Sequence, residues 1–178
     1  MKIFSIKQDV DAFKFYLQNE NDPLSIKAYS YEGESLASGW TPFSINLFRG
    51  KTKLEKSLRE DFNASCFDDG LLFVTEDVAE ALCKVTDFFE QLQVITDDGR
   101  CFYYMNLTRK IPSLIFNDRS EIKDMYRSGV YTFNESIIAN ETVFRDDILT
   151  SNYFVTENFL KEFKYDIKGI YFKEVGEV

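Results

Sequence analysis

The sequence predicts an α+β fold in a single domain, with a mainly antiparallel sheet and two or more short helices. A chain of 178 residues lies in the usual size range of one domain. Short alternating segments separated by turn residues are typical of hairpins. Two short amphipathic helices interrupt them, without the regular alternation of strand and helix that marks a parallel sheet. The hydrophobic content of 44%, including 18 Phe and 10 Tyr, is enough for a large core.

The N-terminal third consists of short segments. Residues 2–7 alternate in polarity and predict a strand, whereas residues 9–17 fit either a helical turn or a second strand. Turn-forming residues predict a loop over 19–23. Residues 26–31 are predicted to be extended, and residues 44–48 alternate as a strand.

The clearest local unit is a strand followed by a capped helix. The apolar run 71–74 is typical of a strand, and Thr75 follows it as a helix N-cap whose hydroxyl is expected to accept an N–H. Glu76 and Asp77 in the first turn favour the positive end of the helix dipole. One apolar face of about three turns is then predicted from Val78, Ala79, Leu82 and Val85.

A hairpin is expected next. Residues 88–95 and 101–107 read as strands around the turn Asp98-Gly99. The polar stretch 113–127 is ambiguous, and one or two short strands are predicted over 129–138.

The C-terminal part repeats the earlier unit. Residues 142–145 are predicted to be extended, and residues 153–157 then contain the tetrapeptide Phe-Val-Thr-Glu that also occurs at 73–76. Phe159 and Phe163 with Leu160 predict the apolar face of a second helix, and a last strand is predicted over residues 170–172. The repeat fits an ancient duplication or chance combined with shared capping chemistry.

The residues that catalysis most often needs are scarce. The chain has no His, which is the commonest general base and zinc ligand. Cys66, Cys83 and Cys101 are odd in number and far apart, so buried thiols are expected rather than disulfides or zinc ligands. No glycine-rich phosphate loop occurs. The sequence therefore predicts no enzyme activity, catalytic residue, metal or cofactor; the runner-up is a small hydrolase or transferase that works without histidine.

Several other polar or aromatic groups have two interpretations. The Asp-Asp doublets at 68–69, 97–98 and 146–147 could supply oxygen ligands to Mg²⁺ or Ca²⁺. Asp is also a typical turn residue, and we favour the interpretation of these doublets as turns. Trp40 before Pro42 is interpreted as a core anchor. Arg145, beside an apolar pair, is expected in a structural ion pair.

Charge is distributed unevenly. From residue 60 to residue 98 there are eleven acidic residues and one base, Lys84, within a chain of net charge −9. We call this stretch the acidic window. Just before it, five bases stand against Glu55 alone: Arg49, Lys51, Lys53, Lys56 and Arg59. Because phosphate binding needs a basic stripe, nucleic acid is not an expected partner.

The acidic window is either a solvated face or a surface that attracts a basic protein. We predict protein binding by seven of its residues: Glu60, Asp61, Asp68, Glu76, Glu80, Asp87 and Glu90. The N-terminus lacks the apolar core of a secretory signal, and no segment approaches about 18 uninterrupted apolar residues. A cytoplasmic protein that does not interact with membranes is expected; its oligomeric state is not predicted.

The order of several motifs resembles the DUF1629 family of immunity proteins from bacterial polymorphic toxin systems. The motifs begin at Trp40-x-Pro42 and continue through residues 59–62, 71–76, 103–107, 143–145, 153–157 and 167–172. The resemblance covers residues 40–178 and leaves residues 1–39 as a variable N-terminal part. Where the family often has Leu-Asp, this chain has Ile115-Phe116-Asn117.

The resemblance implies a protein that is made alongside a secreted toxin, binds the cognate toxin domain and blocks it. It carries no catalytic residue over to this chain. The alternative within the binding class is a general adaptor.

Overall fold

The computed structural model describes residues 1–19, 22–28 and 33–178. The strands are β1 Lys2–Gln8, β2 Tyr16–Gln18, β3 Ser44–Leu47, β4 Ala64–Ser65, β5 Phe73–Val74, β6 Phe89–Thr96, β7 Phe102–Leu107, β8 Lys110–Ile111, β9 Val143–Asp146, β10 Phe154–Thr156 and β11 Ile170–Glu177. The helices are α1 Pro23–Ala28, α2 Lys53–Lys56, α3 Glu76–Val85, α4 Arg119–Ser128, α5 Glu135–Ile138 and α6 Glu157–Glu162.

The strands form two sheets. The larger has the order β2-β3-β6-β7-β5-β4 and the smaller the order β11-β1-β10-β9-β8. Neighbouring strands are antiparallel except for the parallel pairs β3 with β6 and β8 with β9. The predicted α+β class with a mainly antiparallel arrangement is confirmed, but the strands divide between two sheets.

A shared core joins the two sheets. Helix α3 contributes Val78, Ala79 and Leu82, and the α6 segment contributes Phe159 and Phe163 to the same buried cluster. Each fully buried aliphatic or aromatic side chain stabilises the fold by about 1.5–3 kcal/mol. The helix faces predicted from apolar spacing therefore hold the sheets together.

The two copies of Phe-Val-Thr-Glu form the same local structure in different sheets. In the first, β5 leads through Thr75 into α3; in the second, β10 leads through Thr156 into α6. The cap positions are as predicted, but neither hydroxyl accepts an N–H from its helix. Thr75 Oγ1 instead donates to the Asp77 carboxylate, and Thr156 Oγ1 donates to Glu141 O at 3.0 Å. The expected Thr75 cap bond is therefore wrong, because the hydroxyl is turned toward other acceptors.

The predicted hairpin and four other predicted strands are confirmed. β6 and β7 pair in register from Phe89 opposite Leu107 to Val94 opposite Phe102. Gly99 closes the turn with φ +77°, which glycine adopts without steric cost. Strands are also found within the predicted segments 2–7, 44–48, 142–145 and 170–172.

Two segments predicted as extended are helical. Residues 26–28 belong to α1, which begins at Pro23, a residue suited to the first helical position; residues 29–31 lie outside the described residues. Residues 135–138 form α5 because Asn134 Oδ1 accepts from Ser136 N and caps it.

The structure also assigns the two segments whose secondary structure the sequence left undecided. Residues 9–17 contain a turn followed by the start of β2, and residues 119–128 form α4. Asp118 caps α4 by accepting from two backbone N–H groups, and Gly129 ends it in the left-handed conformation. An Asp before a helix and a Gly after it are signals that mark the ends of a helix in a sequence. Within the described parts of the chain, no helix is long and apolar enough to span a membrane.

Candidate functional site

The seven acids predicted to bind a partner fall into two structural groups. Glu60 and Asp61 belong to a group that contacts bases of the same chain. Glu60 Oε1 lies 2.5 Å from the buried Lys14 Nζ, and Asp61 Oδ2 lies 2.7 Å from Arg59 Nη2 and 3.7 Å from Lys168 Nζ. The hydrogen bond from Lys14 lowers the pKa of Glu60, and the one from Arg59 lowers the pKa of Asp61. These contacts leave little uncompensated charge around residue 60.

The next doublet is also tied to the chain. Asp68 Oδ2 lies 3.4 Å from the backbone N–H of Gln18, which donates to it. Asp69 accepts from Lys7 Nζ at 3.0 Å. These contacts attach the turn before β5 to the ends of β1 and β2.

Glu90 has a structural role within the described chain. Its carboxylate accepts from Leu36 N at 2.9 Å, from Asn106 Nδ2 at 2.8 Å and from Ser35 Oγ. Partial burial raises the pKa of Glu90, but the hydrogen bonds from Ser35, Asn106 and Leu36 outweigh it, so the pKa is lowered overall. Glu90 therefore fastens the segment around residue 35 to β6 and β7.

We expect Glu90→Gln to destabilise the protein by about 1–2 kcal/mol at neutral pH, because charge-assisted hydrogen bonds are replaced by weaker neutral ones. The folded pKa of Glu90 is lowered, so its stabilisation is complete above the unfolded pKa and is lost as pH falls through the folded value. Urea unfolding should thus give a large difference from the wild type at pH 7 and a vanishing one in strong acid. A difference that stays constant with pH would contradict this role.

The second group keeps its charge on the surface. Glu76, Glu80 and Asp87 are exposed and form no ion pair with any described residue. Glu76 and Glu80 lie one turn apart on α3, and Asp87 follows two residues after the end of the helix. We call these three residues the α3 acidic face.

A shallow groove of about 370 Å³ lies beside this face, between α3 and the end of α6. Glu80 and Glu162 line it together with Lys84 and Lys164. Tyr165 closes one side and donates its hydroxyl to Asp77. The groove therefore mixes charges of both signs, and Glu80 belongs both to it and to the α3 acidic face.

A second candidate surface is an apolar groove of about 610 Å³, which we call the Phe15 groove. Its apolar lining comes from distant parts of the chain: Val10, Phe15, Leu17, Phe48, Leu54, Leu58 and Phe67. Phe15 is stacked between Phe48 and Phe67, with ring centroids 4.7 and 4.1 Å away. Sequence reasoning missed this site, because no local pattern shows that these residues meet.

Arg145 is a buried charged residue of β9 that contacts other segments of the same chain. The Arg145 guanidinium is fully buried and donates to the carbonyls of Thr150, Gly70 and Leu107 at 2.8, 3.1 and 3.4 Å. It also lies 4.3 Å from the centre of the Tyr153 ring. The acceptors are backbone carbonyls from three segments, so Arg145 acts as a link between strands and loops.

Asp146 has a comparable structural role. Its carboxylate accepts from the backbone N–H groups of Ser113, Leu114, Ile148 and Leu149 and from the Ser113 hydroxyl. Within the described residues no group of three metal-ligating side chains comes together. The contacts of Asp146 thus organise the loops around it, in keeping with the turn interpretation of the doublet 146–147.

The three cysteines differ in environment. Cys66 is buried, and burial raises the pKa of its thiol to about 12. Cys83 is half-buried and Cys101 is exposed, so the expectation of three buried thiols is wrong for Cys101. Its position at the end of the hairpin turn keeps it at the surface.

Trp40 is only partly a core residue. Its ring packs edge-on against Phe43 with a centroid distance of 5.4 Å, and Nε1 donates to Gln93 O at 2.9 Å. The indole is half-buried, so it covers the edge of the core and does not lie at its centre. This placement corrects the interpretation of Trp40 as a buried anchor.

No protein-family model matches the chain, and no curated protein matches it significantly. The resemblance to immunity proteins therefore rests on the sequence motifs alone.

Proposed function

We propose that this protein acts by binding another protein through the α3 acidic face. The observation that carries the proposal is that Glu76, Glu80 and Asp87 remain exposed without an ion pair in the described chain, while Glu60 and Asp61 are neutralised. A single-sign field speeds the association of an oppositely charged partner and discriminates against others. A basic surface on the partner is the natural complement.

The motif resemblance adds a more specific proposal. The partner is a cognate bacterial toxin domain, and the protein neutralises it in the cytoplasm of the producing cell without catalysis or a cofactor. Two tests address this proposal: co-purification with the product of the neighbouring gene, and rescue of cells that express that product. Failure of both binding and rescue would reject the immunity function, whereas binding without rescue would favour an adaptor.

The charge of the α3 acidic face gives a direct prediction. The double variant Glu76→Lys and Glu80→Lys should raise the dissociation constant for a basic partner by about tenfold or more at low ionic strength. Exposed charges contribute little to folding, and the reversed charge at the first turn of α3 costs about 0.3–1 kcal/mol, so the thermal midpoint should fall only slightly. Isothermal titration calorimetry over a series of salt concentrations measures the effect.

A matched control is Asp124→Lys with Asp147→Lys, which changes the net charge equally at two exposed positions on other elements. We expect its dissociation constant to stay within about twofold of the wild type at moderate salt, where distant exposed charges are screened. Equal weakening by both double variants would show that only total charge matters, and the α3 acidic face would then be excluded as the specific contact.

A further inference from the structure

The Phe15 groove has a rigid floor. Phe15 is 5% exposed and its ring lies nearly parallel to those of Phe48 and Phe67, at 8° and 5°. Each of the three rings lies next to a strand end: Phe15 precedes β2, Phe48 follows β3 and Phe67 follows β4. A floor fixed in this way is already formed before any ligand enters.

One wall of the groove is the α2 segment, which is held in place by its own capping box. Thr52 Oγ1 accepts from Glu55 N, while the Glu55 carboxylate accepts from the backbone N–H groups of Lys51 and Thr52. Glu55 lines the groove, and the bonds from the backbone N–H groups of Thr52 and Lys51 lower its pKa, so its carboxylate stays ionised there. Leu54 on the same wall is 76% exposed, and Val10 and Phe67 are 47% and 42% exposed. Contiguous exposed apolar side chains of this kind mark interaction sites.

The charge around the groove has a small positive excess, because three exposed lysines stand against the two acids of its lining. Of the five bases counted before the acidic window, Arg49 and Arg59 pair with Asp97 and Asp61. The other three are exposed and have no ion pair with any described residue: Lys51, Lys53 and Lys56. They are close neighbours of Leu54 and Glu55 along the chain and lie outside the lining itself. Asp11 is the acid that lines the groove besides the capped Glu55.

We propose that the Phe15 groove docks an acidic segment of a partner protein, with a large apolar side chain of that segment against the exposed Leu54 and Phe67 and its carboxylates at Lys51, Lys53 and Lys56. An amphipathic segment in an apolar groove is a common mode of peptide recognition. Three unneutralised lysines select carboxylates around the apolar anchor by charge complementarity. This site is formed by residues other than the α3 acidic face, so it goes beyond the proposed function and does not depend on it.

Single-stranded nucleic acid fits the groove less well. Successive bases need several open aromatic faces, but both faces of Phe15 are covered by Phe48 and Phe67, which leaves the 42% exposed Phe67 to take a single base. The lysines lie on one short segment and do not follow a strand's backbone. A second copy of the chain is the other alternative occupant, because its acidic window could approach the lysines.

The test uses the full-length protein and short fluorescein-labelled peptides that carry Leu and Phe at helical spacing among Asp and Glu. Fluorescence anisotropy should show micromolar binding. Replacing the acids of the peptide with Lys, or its Leu and Phe with Ser, should weaken binding by about tenfold or more. Absence of binding by the acidic peptides, or equal binding by the Lys-containing peptides, would overturn the proposal.

Variants of the protein locate the contact. Leu54→Asp and, separately, the pair Lys53→Glu and Lys56→Glu should each raise the peptide dissociation constant by about tenfold or more. These positions are exposed, so the fold should be preserved, which circular dichroism verifies. The matched controls are Val130→Asp, a 61% exposed residue, and Lys123→Glu with Arg127→Glu on α4; both should bind within about twofold of the wild type at moderate salt.

Two further measurements distinguish the other occupants. A labelled oligothymidylate that binds more tightly than the acidic peptide, and loses binding in the Lys53 and Lys56 variant, would replace the proposal with nucleic-acid binding. Analytical ultracentrifugation of the wild type and Leu54→Asp should show the same mass for both. Self-association that Leu54→Asp abolishes would assign the groove to a second copy and overturn the proposal.

Discussion

Arg145→Ala should lower the free energy of unfolding by about 3–5 kcal/mol, the largest effect that we expect from a single side chain in this protein. The substitution removes a donor from the carbonyls of Leu107 and Thr150, leaves Gly70 O with the Tyr153 hydroxyl, and opens a cavity beside the Tyr153 ring. Buried carbonyls without a donor are costly because they have lost water and gained no partner. Urea unfolding followed by circular dichroism measures the loss.

Two comparisons test the cause of that loss. Arg145→Lys keeps a positive charge but lacks the planar fork of donors, so its loss should lie between that of Arg145→Ala and zero. Arg127→Ala removes a 79% exposed guanidinium and should change stability by no more than about 0.5 kcal/mol. If Arg145→Ala were as mild as Arg127→Ala, the carbonyl contacts would not stabilise the fold.

Gly169→Ala should lower the free energy of unfolding by about 3 kcal/mol or more, because the backbone at this position leaves no room for a side chain. Gly169 has φ +104°, and an added Cβ would collide with the carbonyl oxygen of Ala64 and lie 2.9 Å from Phe62 Cβ. The backbone cannot easily move away, because Gly169 O accepts from Asp9 N at 2.8 Å and from Gln8 Nε2 at 2.6 Å. Thermal and urea unfolding should both show the loss.

The control for this prediction is Gly39→Ala. Gly39 also has a positive φ, +78°, but no atom lies within 4 Å of an added Cβ. In Gly39→Ala only the strain of the backbone conformation remains, so the free energy of unfolding should fall by about 1 kcal/mol. Similar losses for the two variants would mean that the close approach of Gly169 to Ala64 does not matter.

Local signals account for the parts of the fold that could be predicted. The β6–β7 hairpin follows from strand alternation and an Asp-Gly turn, and α3 follows from its apolar spacing and first-turn acids. The α5 helix was mistaken for strand because its Asn134 cap is a single residue before a four-residue helix. Helices this short have too few turns to show a period.

The candidate sites show the limit of sequence reasoning more clearly. The sequence identified the acidic window, and it could not reveal that Lys14 would neutralise Glu60 or that Asn106 and Leu36 would engage Glu90. These partners are far from the acids along the chain, and only packing brings them together. Of the seven predicted contact residues, three are exposed and form no ion pair with a described residue, and these three make up the α3 acidic face.

By itself, the sequence determined the fold class, the amphipathic faces of α3 and α6 and the separation of basic and acidic segments, because each depends on residues that are neighbours along the chain. Tertiary structure decided which charges are paired, how the strands divide between two sheets, and that Phe15, Phe48 and Phe67 form one stack. The physical reason is that ion pairs, sheet edges and apolar grooves depend on distances in space, which chain closure and core packing set.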